Sequence, residues 1–326
     1  MNGVHAGKGV VASRSIRRRA TVPRGGSPWQ GPLAIRYRTF ERYFRTRVLP
    51  ARGARTRETP ARLYAAMRYA ALSPGKRLRP LLVLTACEAA GGDWRRALPA
   101  AAAVELVHAF SLVHDDLPAM DDDDYRRGRL TTHKKYGEAM GILAGDALLA
   151  EAFGRLLDLV DQKVPAGRII LATATLAIAS GRDYLIGGQV LDLEAEGRPV
   201  TRDQVREIHD RKTGALIGAS MRLGAIVAGA SARDERDLLR AGLHLGAAFQ
   251  IHDDLLNMSS SMRALGKRTG TDARRGKPTY PRAVGRKAAE QSAALNIALA
   301  RKGVARLGRQ ARNLDRLIDV MAHRER

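Results

Sequence analysis

Apolar positions recur along the chain at helical rather than strand spacing. From Leu33 onward Ala, Leu, Arg and Glu dominate, and alternating β-branched runs are rare. Gly and Pro punctuate this pattern at Ser73-Pro74-Gly75, Gly91-Gly92, Pro118, Gly128, Val164-Pro165, Gly187-Gly188, Gly197-Arg198-Pro199 and Lys277-Pro278. The stretches between are of helix length. Thr201-Arg-Asp-Gln204 has the spacing of an N-terminal capping box, and Ala97 to Val113 is apolar on nearly every side, as a helix at the centre of a bundle would be. The pattern predicts an all-α fold, a single-domain helical bundle over residues 31–326. The most apolar stretches, Ala97–Val113 and Thr213–Ala232, are interrupted by Glu105 and His108 and by Arg222, so no bilayer-spanning run is expected.

One internal similarity stands out. Leu112-Val-His-Asp-Asp-Leu117 and Gln250-Ile-His-Asp-Asp-Leu255 repeat an order of residues 138 positions apart, each ending an apolar helical segment and each followed by a basic segment containing Gly. Two Asp-rich helices are therefore expected to face each other around a central cavity.

Composition narrows the class. A single cysteine, Cys87, excludes an intramolecular disulfide framework, and 45% hydrophobic residues in 326 can bury a sizeable core. The net charge of +23 suggests a nucleic-acid binder until it is divided along the chain. Residues 1–57 hold 14 Lys/Arg and one acid, residues 263–326 hold 17 and five, and the middle holds 25 and 27. The excess sits at the ends, so the bulk charge says little about the central region, and no nucleic-acid partner is expected. Residues 1–30 carry seven Gly or Pro, the cluster Arg17-Arg18-Arg19 and no acid. They read as a basic disordered extension, which also fits an organellar transit peptide. Otherwise the chain is expected in the cytoplasm.

Carboxylates at the end of an apolar helix are costly to desolvate without a compensating cation, and Asp115, Asp116 and Asp121–Asp124 crowd into ten residues. Oxygen donors without Cys, and without His at zinc spacing, point to Mg²⁺, which binds between a few carboxylates and a substrate phosphate. An EF-hand loop does not fit, because placing its Gly at Gly128 would put Tyr125 at a ligand position. His108 lies two helical turns before Asp115 on the same face. Cations beside Gly, Thr or Pro breaks supply the other half: Gly75-Lys76-Arg77-Leu78-Arg79-Pro80, Arg126-Arg127, Lys212-Thr213-Gly214, Lys267 and Lys277. Together with two Asp clusters they describe a pocket for two diphosphates and Mg²⁺. The P-loop pattern is absent.

These segments, with Gly145-Asp146, Gly188-Gln189, Phe249-Gln250, Asp253-Asp254 and Gly276-Lys277, resemble the short-chain trans-prenyltransferases, the farnesyl and geranylgeranyl diphosphate synthases. The resemblance spans about residues 62–285. The four-residue spacer in the first Asp-rich stretch is similar to that of the bacterial farnesyl enzymes. It implies condensation of isopentenyl diphosphate with dimethylallyl or geranyl diphosphate to farnesyl diphosphate, by a homodimer with no membrane insertion. It also implies that Asp115, Asp121 and Asp253 bind three Mg²⁺, with Asp116 among the catalytic carboxylates. Arg126, Lys212, Lys267 and Lys277 would hold the allylic diphosphate. Lys76, Arg79, His108 and Arg127 would hold isopentenyl diphosphate, while Thr213 and Gln250 line the pocket. Phe110, with Ser111 beside it, would close the floor that limits chain length. One departure matters: the second motif ends in Asn257 where Asp is usual. The alternatives are a geranylgeranyl diphosphate synthase, a terpene cyclase, which the scarcity of aromatic residues disfavours, and a low-activity partner subunit.

Overall fold

The computed structural model describes residues 27–51, 58–259 and 279–322. The described chain is helical almost throughout. In order, it forms α1 (Gly31–Tyr43), α2 (Ala61–Ala71), α3 (Leu78–Ala89), α4 (Leu98–Asp115), α5 (Thr132–Tyr136), α6 (Glu138–Leu157) and α7 (Ala166–Ser180). Then come α8 (Leu185–Glu194), α9 (Arg202–His209), α10 (Ala215–Ala228), α11 (Ala232–Ser259), α12 (Tyr280–Val284), α13 (Arg286–Ala305) and α14 (Arg312–Ala322). The exception among the described residues is a hairpin of two-residue strands, β1 (Tyr125–Arg126) and β2 (Arg129–Leu130).

The axis of the bundle is α4. Pro99 sits in its first turn, where its missing N–H costs nothing, and the Ala run that follows favours the helix and permits close neighbours. Ala100–Ala103, Val104, Leu106 and Val107 are wholly buried against α2, α3, α6, α7 and α10. A second core joins α3, α10, α11, α13 and α14 through Leu81, Met221, Leu238, Leu245, Ile297, Leu314 and Leu317. The two Asp-rich helices, α4 and α11, both pack against α10.

Several sequence breaks fall where expected. Pro165 is the residue before α7, and Thr201 accepts from Gln204 N at 3.3 Å while its own N donates to Gln204 Oε1 at 2.9 Å, a complete capping box before α9. Gly187-Gly188, by contrast, lies inside α8 and breaks nothing. A Cβ at Gly188 would stand 2.4 Å from Lys212 N, so the missing side chain serves a contact instead of a turn.

Two further expectations need correction. The extension does not reach residue 30: Trp29 is 7% exposed in the second core, and its Nε1 donates to Lys76 O at 2.9 Å. The disorder expected further upstream, over residues 1–26, lies outside the described residues. Secondly, Trp94–Asp115 and Ala166–Glu194 are long and apolar enough to cross a membrane, since one or two ionisable groups do not exclude a span. The first is α4 with its preceding turn, mostly buried in the bundle. The second, α7 with α8, exposes Ile170, Ile178, Ile186 and Val190.

Candidate active site

Helix α4 stops at Asp115 because Pro118 cannot continue it, and the spacer curls into a tight loop. Met120 N and Asp122 N both donate to Leu117 O, at 2.9 and 3.0 Å, and Asp121 N donates to Asp115 O at 2.7 Å. The six-residue separation is thus folded back on itself, with Asp121 against Asp115. Asp116 turns the other way. It is 3% exposed and accepts from Arg126 Nε at 2.6 Å, so it holds Arg126 where the sequence had placed it among the catalytic carboxylates. Arg126 also reaches Asp123 Oδ2 at 3.4 Å.

Arg126 opens the hairpin whose two central residues, Arg127 and Gly128, have φ of 54° and 74°, as a two-residue hairpin turn requires. This turn throws Arg127 towards α3, where its Nη1 donates to Pro74 O at 3.0 Å. A cleft of about 490 Å³, counting its open mouth, lies between the hairpin and one face of α4. Arg77, Glu105, His108, Asp116, Arg126 and Arg127 line it. Burial holds the His108 imidazole well below its ordinary pKa, with Arg79 and then Arg127 adding to the effect, so at neutral pH it is an uncharged hydrogen-bonding group. His108, Arg79, Arg126 and Arg127 are therefore brought together, with Lys76 exposed beside them in the Gly75-Lys76 turn.

A second network surrounds Lys212-Thr213-Gly214, which forms a π-helical turn between α9 and α10, a form often found at functional sites. The turn is gripped from both sides. Gly188 touches its backbone at Lys212, and a Cβ at Gly246 on α11 would come within 2.6 Å of Gly214 Cα. Lys212 Nζ donates to Asp192 Oδ2 at 2.7 Å, and Thr213 Oγ1 donates to Gln250 Oε1 at 3.0 Å. Asp254, 4% exposed, accepts from Tyr280 N at 2.8 Å and Gln250 Nε2 at 3.3 Å, and His209 Nε2 lies 3.4 Å away. Burial pushes His209 down to about 4.

Asp253 precedes this buried Asp254 on α11 and is partly exposed, while Asn257 is exposed one turn on. Lys267 and Lys277 lie outside the described residues. Phe110 packs into the core around α4, its ring edge-on to His114 at 4.9 Å, and His114 fits against α6 only because Gly145 has no side chain: a Cβ there would stand 2.0 Å from Nε2. Neither Phe110 nor Ser111 lines the cleft between α4 and the hairpin.

Sequence reasoning passed over Asp192, counted Arg77 only as one more cation of its run, and gave the Gln189 side chain no role. Both amide atoms of Gln189 are buried without a hydrogen-bond partner, three residues before the carboxylate that holds Lys212. The signal available was the Gly188-Gln189-Val-Leu-Asp192 run, two polar residues one helical turn apart in an apolar segment.

Among the described residues no three His, Cys, Asp or Glu side chains gather into a metal-binding group. The donors nonetheless fit Mg²⁺ in kind: only carboxylates are offered, and this ion characteristically takes one or two and fills its shell with waters and substrate phosphate.

The pattern of the polyprenyl synthetase family matches residues 60–312. The chain belongs to the polyprenyl synthetase family. It is 42% identical over 245 residues to the farnesyl diphosphate synthase of Geobacillus stearothermophilus, covering 75% of this chain and 82% of that one. It is 46% identical over 226 residues to a geranylgeranyl diphosphate synthase of Cyanophora paradoxa, covering 69% and 75%. The fold is shared with a crystal structure of an FPP/GFPP synthase from Zymomonas mobilis, at a TM-score of 0.77 and 33% identity over 89% of this chain and 98% of that one. The all-α architecture is thus that of the isoprenoid synthases, and the family match runs through the spans where both networks form.

Proposed function

We propose that this polyprenyl synthetase condenses isopentenyl diphosphate with dimethylallyl or geranyl diphosphate, with farnesyl diphosphate as its main product. The observation that carries the reading is the juxtaposition at the end of α4: the backbone of Asp121 folded onto that of Asp115, with Arg126 held on the adjoining Asp116 and Arg127 turned by the hairpin to the Pro74 carbonyl across the cleft. Carboxylates for a divalent ion next to guanidinium groups suit a diphosphate leaving group, not a sugar or peptide substrate.

In this reading Asp115, Asp121 and Asp253 hold three Mg²⁺, which when bound supply Lewis-acid charge that neutralises the allylic diphosphate. Arg126, Lys212, Lys267 and Lys277 bind the same diphosphate, so Lys212 must leave Asp192 or share it. Lys76, Arg79 and Arg127 clamp isopentenyl diphosphate, and neutral His108 donates a hydrogen bond to it. Departure of diphosphate leaves an allylic cation, the isopentenyl double bond attacks it, and the departed diphosphate takes up the proton whose loss restores neutrality. Thr213 and Gln250, tied to each other, form a polar wall. A second copy of the chain is the proposed partner. Exposed Ile142, Leu143 and Leu157 on α6 and Ile170 and Ile178 on the adjoining α7 offer an apolar face of the kind that self-association buries.

A geranylgeranyl product is the second reading, favoured by the match to the Cyanophora paradoxa synthase. The test is incubation with Mg²⁺, isopentenyl diphosphate and geranyl diphosphate, followed by sizing of the products. Fifteen-carbon product is expected, with Phe110→Ala lengthening it. Mainly twenty-carbon product from the wild type supports the longer-chain reading, and an unchanged product from Phe110→Ala makes Phe110 ordinary packing. No condensation at all overturns the assignment.

A further inference from the structure

The turn before α3 is held in an unusual way. Four consecutive carbonyls each receive a side-chain donor: Ser73 O from Arg77 Nη2 at 2.9 Å, Pro74 O from Arg127 Nη1 at 3.0 Å, Gly75 O from the Tyr37 hydroxyl at 3.3 Å, and Lys76 O from Trp29 Nε1 at 2.9 Å. The donors come from α1, from the residues before it, from the hairpin and from the turn itself. A loop tied at every carbonyl has little freedom left, and Lys76 and Arg79 depart from it.

Arg77 is the centre of this arrangement. It has φ of 51°, a left-handed conformation that costs a non-Gly residue on the order of 1 kcal/mol and persists only where the surroundings enforce it. Its carbonyl accepts the first bond of α3, from Leu81 N at 3.1 Å. Its guanidinium, 4% exposed, donates to Glu41 Oε1 on α1 at 2.7 Å and to Glu105 Oε1 on α4 at 2.6 Å, and lies 5.8 Å from the centre of the Phe44 ring. Two carboxylates and a carbonyl engage all three of its nitrogens and neutralise its charge, so it is poorly placed to bind an anion itself. Glu105 is one helical turn from His108, and both line the cleft. A lysine has a single donor centre and cannot span two carboxylates and a carbonyl in a planar fork.

We propose that Arg77 is a positioning residue for isopentenyl diphosphate: by bridging Glu41, Glu105 and Ser73 O it fixes the left-handed turn that sets Lys76, Arg79 and Arg127 as a ready-made anion clamp beside His108. The inference rests on the isopentenyl diphosphate half-site proposed above. A pre-set clamp binds without the entropy cost of ordering a loop, so its loss falls on the affinity for one of the two substrates.

The test is a pair of steady-state titrations on the full chain, each substrate varied with the other saturating and Mg²⁺ in excess, for wild type, Arg77→Lys and Tyr37→Phe. Arg77→Lys is expected to raise KM for isopentenyl diphosphate by about tenfold while KM for geranyl diphosphate and kcat change by less than about threefold. Tyr37→Phe, which removes one tie and keeps the fold's apolar contacts, is expected to shift the same KM alone by a smaller factor. Equal rises in both KM values, or none in either variant, overturn the positioning role. If Arg77→Lys does not fold, as a melting curve would reveal, Tyr37→Phe decides on its own. A wild-type protein that consumes no isopentenyl diphosphate would instead defeat the proposed function, a result distinguishable because it precedes any variant.

Discussion

Asp116 and Asp254 occupy the second position of the two Asp-Asp pairs, and both turn inward. Asp116 takes Arg126 and Asp254 takes Tyr280 N with Gln250, while their predecessors Asp115 and Asp253 stay partly exposed. The division was not legible in the sequence, where each pair reads as two equal carboxylates. Burial decides it, since successive residues on a helix point about 100° apart, so one of each pair is enclosed among its partners while the other stays nearer the surface. The consequence is measurable as stability. Asp116→Ala leaves Arg126 as a largely buried charge without its main partner and is expected to cost about 3 kcal/mol in urea unfolding, whereas Asp115→Ala should cost less than about 1 kcal/mol. Equal losses would show that Asp116 is not the partner that holds Arg126. Asn257 stands at an exposed position one turn from Asp253, apart from the buried network of Asp254.

Helix α10 shows what element-scale patterning could and could not reveal. In the sequence it falls within Thr213–Ala232, marked only as an apolar stretch interrupted by Arg222, and in the structure Ala215–Met221 and Leu223–Val227 are buried. The neighbours that bury it were not legible, because periodicity reports a face and not its partner. They are chosen by small residues: a Cβ at Gly242 would approach Gly218 Cα at 2.7 Å, one at Gly246 would approach Gly214 Cα at 2.6 Å, and one at Gly224 would approach Val83 O at 2.3 Å. Backbones that close tolerate no side chain between them. Gly246→Ala is therefore expected to push α11 from the Lys212-Thr213-Gly214 turn, lowering stability by about 1–3 kcal/mol and weakening the Thr213 to Gln250 bond. Unchanged unfolding would mean that the helices yield without cost. The β-hairpin was invisible for a different reason: two residues per strand carry no alternation, and only Arg-Gly at positive φ marks the turn.

At the scale of the molecule, the all-α bundle and the family were legible because helical periodicity and the ordered motifs run through most of the chain. The starting point of the folded domain was not, since a single Trp among Gly, Pro and Arg gives no period. Trp29 nevertheless closes the second core and ties the Lys76 turn. Removal of residues 1–26 is expected to leave folding and activity intact, whereas removal of residues 1–30 should lower the melting temperature and raise KM for isopentenyl diphosphate. Identical behaviour of the two truncations would make Trp29 dispensable. The whole account turns on the folded-back Asp-rich turn at the end of α4 as the place where the allylic diphosphate is ionised with Mg²⁺. Its most direct test is the initial rate of condensation, with Mg²⁺, isopentenyl diphosphate and geranyl diphosphate, for wild type beside Asp115→Ala and Asp121→Ala. The account predicts Mg²⁺-dependent product from the wild type and a loss of more than about tenfold in both variants, each removing a ligand oxygen that no neighbour replaces; more than about a tenth of the wild-type rate retained in both would contradict it.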